Sequence, residues 1–265
     1  MQEQVFQLSR GTVPLLVSLP HCGEFIPDDL ADAYEPRALG VEDTDWHLQR
    51  LYGFAWQLGA SVLVPRFSRY VVDLNRPPDN APMYPGANNT ELCPTRCFTG
   101  DAIYRAGRAP DAAAVAERTQ RYWRPYHDAL RAELDRLRAE HGHVVLFDGH
   151  GIKSELPWLF EGRLPALNLG TVNGASCAAS LRDALAGVLA DQSGYDQVVD
   201  GRFKGGYITR HYGRPDENVH AVQLEMTWAC YMDEEPPYKY RADRAVEVTP
   251  VLTELLRTMR DWRPA

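Results

Sequence analysis

The sequence predicts an α/β protein with a mostly parallel or mixed central sheet and helices on both faces. Two observations predict it. Strands such as 15–19 and "HVVLF" are short, continuous apolar runs, which suits a sheet covered on both sides. Stretches of helical periodicity alternate with these strands, the order expected of an α/β fold. The 265 residues, 45% of them hydrophobic, can bury a substantial core and are taken as one domain over 1–265.

Residues 13–19 read as a buried strand. A helix is expected from Asp43 or Thr44 to about residue 58, because Trp46, Leu48, Leu51, Phe54, Ala55 and Leu58 recur at near-helical spacing. "SVLVP" and "RYVVDL" follow as strands. Residues 75–100 read as a loop, rich in proline and asparagine, and a loop this long is more often functional than idle. A helix over 111–140 should kink or break at Pro125. "HVVLF" is a strand ending in "DGHG", and 164–169 reads as another strand. Residues 177–190 are helical, "DQVVDGRF" extended and "GGYITRHYGRP" a glycine-bearing loop. "HAVQLEMT" is a strand, and 242–262 a helix in one piece or in two around Pro250.

The formal net charge of −8 argues against a general nucleic-acid binder, which would show a basic face. The amino terminus has no basic segment followed by an apolar one, and no apolar run approaches the roughly 20 residues of a membrane span. A cytoplasmic location is expected. Five cysteines, an odd number, suggest free thiols rather than a disulfide framework.

In folds of this class, ligands collect beyond the carboxyl ends of the strands. Three strand ends carry capable residues: His21 and Glu24 in "LPHCGEF", Asp148 and His150 in "DGHG", and Glu225 in "AVQLEM". A catalytic zinc site commonly takes two histidines and one carboxylate and leaves a fourth position for water. His21, Glu24 and His150 fit that form, with Asp148 placed to orient His150. Alone, an H-x-x-E pair is common on protein surfaces; its position among the other two strand ends is what makes it a candidate. Glu225, a carboxylate in an apolar strand, is the candidate general base, and an ion-pair role would also account for it. Arg69 and Arg76 flank the "RYVVDL" segment, and Arg210 lies near Tyr207 and Lys204 in the glycine-bearing loop. Guanidinium groups bind carboxylates bidentately, so these arginines imply a small anionic substrate; ordinary salt bridging would also explain each of them. A cysteine hydrolase using Cys22 and a non-catalytic amino-acid or metal binder are the readings from other classes.

Six stretches, "VSLPHCGEFIP", "DTDWHLQRLY", "SRYVVDLNRPP", "LPWLFEGRLPALNLGT", "GRFKGGYITRHYG" and "VHAVQLEM", together resemble the N-formylglutamate amidohydrolases (deformylases) of histidine degradation. The likeness runs from about residue 13 to 232. It implies a zinc-carboxypeptidase-like (phosphorylase/hydrolase-like) fold, with His21, Glu24 and His150 on zinc, or on another divalent transition metal, and Glu225 as base. It implies Arg76, after Asn75, as a catalytic-site clamp for a substrate carboxylate, and makes Tyr207 and Arg210 specificity residues. The implied substrate is N-formyl-L-glutamate; another N-acyl amino acid or a short peptide is the alternative. One departure stands out: Gly151 follows His150 where the family carries serine.

Overall fold

The structure is a computed structural model that describes residues 4–83 and 89–264. Part of the expected loop over 75–100, residues 84–88, lies outside the described residues. Seven strands of the described residues form one mixed sheet. They are β1 (Phe6–Ser9), β2 (Leu15–Ser18), β3 (Ser61–Pro65), β4 (Val144–Ile152), β5 (Leu167–Gly170), β6 (Gln197–Val199) and β7 (Val219–Thr227), in the order β1-β3-β2-β4-β7-β5-β6. The central pairs β3/β2, β2/β4 and β4/β7 are parallel, whereas β1/β3 and β5/β7 are antiparallel. The helices are α1 (Asp28–Ala31), α2 (Leu48–Leu51), α3 (Ala112–Arg118), α4 (Arg124–His141), α5 (Ala179–Ala190), α6 (Tyr207–Tyr212) and α7 (Ala242–Asp261).

Both faces of the sheet are covered. Leu15, Val17, Val145, Phe147, Val222 and Leu224 pack under α2, α5 and α7. The alternate residues Leu16, Val144, Leu146, Val219 and Ala221 pack under α4 and α6. This is the α/β layering that the continuous apolar strands predict, since each strand must bury both sets of side chains. No helix of the described residues is long and apolar enough to cross a membrane.

Three local expectations change, and two at prolines are made specific. "RYVVDL" is a run of turns rather than a strand: Val71 N–H bonds back to the Ser68 carbonyl and Asp73 N–H bonds to the Leu92 carbonyl, while the apolar side chains are buried without a ladder. The helix expected from Asp43 begins only at Leu48, after His47 at φ 63°, so Asp45 lies in the preceding turn. "GGYITRHYGRP" contains the short helix α6. Pro250 lies inside an unbroken α7, on the solvent side, where the hydrogen bond it deletes costs least. The break near Pro125 is a wide helical turn at Thr119–Trp123, directly before α4.

Candidate active site

The sheet register builds the site. On the α4/α6 face, apolar residues give way to polar ones toward the carboxyl ends of the parallel strands. Ser18 pairs with Asp148, Asp148 with Gln223 and Gln223 with Gly170, which forms one row across β2, β4, β7 and β5. The next row is His150, Glu225 and Asn168. Residues of a row share a face because side chains alternate along each strand. The geometry thus brings His150 beside Glu225 at the floor of a cleft that His21, Asp45, Arg69, Asn75 and Arg76 also line.

His21, Asp45 and His150 are all buried, and each offers a ligand atom within 4.8 Å of the others. The Nδ1 atoms of His21 and His150 lie 3.7 and 3.2 Å from Asp45 Oδ2. The far nitrogens have their own carboxylates: His21 Nε2 is 2.7 Å from Asp73 Oδ1, and His150 Nε2 is 3.2 Å from Asp148 Oδ1. Two inward nitrogens, one inward carboxylate and an outer carboxylate behind each ring are what a metal-binding histidine pair requires. Charge agrees with this. Asp45, Asp73 and Asp148 lie against the two imidazoles and Glu225 beside His150, with the Arg69 guanidinium on Asp73 and Asp45. The donor set of two imidazoles and a carboxylate therefore fits a divalent cation.

Glu24 is not part of this group. Phe25 makes a parallel bridge to Phe67, and a Cβ on Gly23 would lie 2.1 Å from the Phe67 carbonyl oxygen, so the chain after His21 runs extended against residues 66–68. That geometry turns Glu24 out to solvent, into a depression shared with Cys22, His47, Gln49 and Arg50. A helical turn would have put residues three apart on one face; an extended one does not. Asp45 takes the place expected of Glu24, and its own N–H bonds to the His21 carbonyl at 3.0 Å, which seats the two side by side. The signal for Asp45 lay in "DTDWH", an acidic turn within one of the resemblance stretches, but its spacing to His21 carries no pattern of its own.

The other expected residues divide. Glu225, Arg69, Asn75 and Arg76 line the cleft, and Tyr207 and Arg210 do not. Tyr207 stacks on His211 with ring centroids 4.9 Å apart, and exposed Arg210 donates to the Gly205 carbonyl. Arg69 is committed to the cluster, with Nη2 3.0 Å from Asp73 Oδ2 and Nη1 3.7 Å from Asp45 Oδ1. Asn75 is an internal strut: Nδ2 is 3.0 Å from His150 Nε2, and Oδ1 accepts from Ile208 N–H at 2.8 Å. The half-buried Arg76 guanidinium donates to the Thr90 carbonyl and hydroxyl and to the Asn75 carbonyl. The Cys22 thiol donates to the Asp45 carbonyl, and burial pushes its pKa well up, which is the wrong state for a nucleophile.

The buried carboxyls are driven in opposite directions. Burial pushes Glu225 up to about 8, with His150 opposing and Asp45 reinforcing the shift. Burial also pushes Asp45 upward, but the His150 and His21 imidazoles beside it overcome this and hold it well below the usual carboxylate range. His150 is raised well above its usual value because the Asp148 and Asp45 carboxylates outweigh its desolvation.

A mainly parallel sheet that gathers a buried His–Asp–His trio and Glu225 in one cleft at its carboxyl ends has the layout expected of an α/β hydrolase. The chain belongs to the N-formylglutamate amidohydrolase family, whose model matches residues 13–232. It is 46% identical over 260 residues to an N-formylglutamate deformylase of Pseudomonas putida, an alignment covering 98% of this chain and 97% of that one. It is 48% identical, with the same coverage, to an N-formylglutamate deformylase of Pseudomonas aeruginosa. An N-formylglutamate amidohydrolase from Ralstonia eutropha JMP134 superposes with a TM-score of 0.80 at 25% identity, covering 97% of this chain and 96% of that one.

Proposed function

We propose that the chain hydrolyses N-formyl-L-glutamate to L-glutamate and formate, using a divalent metal held by His21, Asp45 and His150. The observation that carries this reading is the buried trio beside Glu225, in a chain nearly half identical, over its whole length, to named N-formylglutamate deformylases. Nitrogen and carboxylate donors suit zinc first, with cobalt, manganese or iron as alternatives. The reading places the reaction in histidine degradation, in the cytoplasm.

A bound divalent ion would polarise the formyl carbonyl and bring the pKa of a water toward about 7. Glu225 takes the proton from the attacking water as the water oxygen adds to the formyl carbon. It then delivers the proton to the amide nitrogen as the C–N bond breaks, so that formate and the free amine separate. Burial favours this shuttle, because a carboxyl with a pKa near neutrality can both accept and release a proton. Arg76 binds a substrate carboxylate, while Arg69 holds Asp73 and Asp45 in place. Asp73 fixes the tautomer of His21, so that it presents Nδ1 inward, and Asn75 and Asp148 hold the outer edge of His150.

Initial rates of hydrolysis on N-formyl-L-glutamate, N-acetyl-L-glutamate and a glutamyl dipeptide, with and without chelator, test this. Preferred formate release that chelation abolishes and zinc restores is the expected result. Preference for the acetyl compound or the dipeptide would transfer the site to another amide, and activity indifferent to chelation would contradict the metal.

A further inference from the structure

A substrate with two carboxylates needs two cationic anchors. Among the described residues, the cations lining the cleft are Arg69, Arg76 and Arg202. Arg69 is spent within the cluster, on Asp73 and Asp45. Arg76 and Arg202 reach the same cleft, and they differ in exposure. Arg76 is half-buried and directly follows Asn75, whose amide touches His150. Arg202 is exposed, between β6 and α6. Its guanidinium carbon lies 5.0 Å from the Phe160 ring centroid and 5.8 Å from that of Phe203, and it donates to the Leu159 carbonyl. Beside it, Leu159, Phe203, Phe98 and Ile152 give the same cleft an apolar wall.

We propose that Arg202 binds the side-chain carboxylate of the substrate and is the residue that selects glutamate over a neutral side chain. The inference rests on the proposed hydrolysis of N-formyl-L-glutamate. The α-carboxylate is attached to the carbon that bears the scissile nitrogen, so it belongs with the inner guanidinium, Arg76. The side-chain carboxylate lies two methylenes further out, so it belongs with the more exposed guanidinium, and its methylenes give the apolar wall something to cover. Stacking on the phenyl rings and the bond to the Leu159 carbonyl hold the Arg202 plane in place before substrate arrives, which lowers the ordering cost of a bidentate contact.

The test is formate-release kinetics of the wild type, Arg202→Gln and Arg202→Lys on N-formyl-L-glutamate and N-formyl-L-glutamine. Arg202→Gln should lower kcat/KM on the glutamate compound by about 10- to 100-fold, the range of a lost charge-assisted contact, chiefly through KM. On the glutamine compound it should stay within about threefold, because no such contact is lost there. Arg202→Lys should retain part of the preference, as a point charge without the fork. Where the neutral amide turns over too slowly, inhibition by L-glutamate against L-glutamine gives the same comparison. Equal losses on both compounds would make Arg202 a prop for the Leu159 wall, and no loss on either would remove it from the site; both overturn the proposal. A wild type that releases no formate from N-formyl-L-glutamate would instead overturn the proposed function, a failure read before any variant is made.

Discussion

Glu225 and Asp45 show how one cleft gives two carboxylates different work. Both are buried, but Asp45 lies against two imidazoles, which hold it well below the usual carboxylate range. Glu225 shows no such pairing among the described residues, and burial pushes its pKa up to about 8. Glu225→Gln keeps the shape and removes the basicity. It should lower kcat by about 10²- to 10⁴-fold while bound metal measured by atomic absorption stays near the wild-type level. Loss of metal in that variant would place Glu225 among the ligands instead. His21, His150 and Glu225 were legible because a strand end limits where a side chain can go. Asp45 was not, because its place depends on a turn docking its backbone on His21, a contact between segments that no spacing rule describes.

At the scale of elements, α6 and the turn after Asp73 are bolted to the site through one side chain. Asn75 bonds to Ile208 N–H and contacts His150, and Gly206 N–H donates to Gln223 Oε1 at 2.7 Å. A Cβ on Gly206 would lie 2.3 Å from Asn75 Nδ2, with no room for either to yield without moving the other. Gly206→Ala should therefore cost turnover more than stability, with kcat/KM down at least about tenfold and thermal unfolding changed modestly, since the shift falls on the support of His150. Wild-type kinetics in Gly206→Ala would show that this strut is not needed. The sequence announced the apolar starts of β4 and β7 plainly, but β4 runs on past "HVVLF" through "DGHG" to Ile152, where polar side chains hid the strand. It misread "RYVVDL", where the same β-branched composition serves a buried turn, and α6, whose helix is too short for periodicity to show.

For the whole molecule, buried neutral histidines tie stability to pH. His127 is held down at about 3, chiefly by burial, against the pull of its bond to the Leu74 carbonyl. The unfolded chain takes up that proton near pH 6.5. Between about 6.5 and 3 the unfolded state thus binds more protons, and stability falls as the pH drops, by up to about 1.4 kcal/mol per pH unit from this group. Above that window the group has no effect. His220, lowered to about 4 by burial, adds in the same direction. Denaturant unfolding from pH 7.5 to 4.5 should show this slope, and His127→Gln should be flatter whatever its absolute stability; identical slopes would contradict the assignment. A metal adds a second linkage, because an ion bound by the folded chain alone raises stability by mass action. The most direct test of the account is therefore metal content and formate release from N-formyl-L-glutamate, measured on the same preparations of wild type, Asp45→Ala and Glu24→Ala. The account predicts that Asp45→Ala loses both, while exposed Glu24→Ala keeps a full equivalent of metal and near-wild-type turnover. Metal and turnover lost in Glu24→Ala but kept in Asp45→Ala would contradict it.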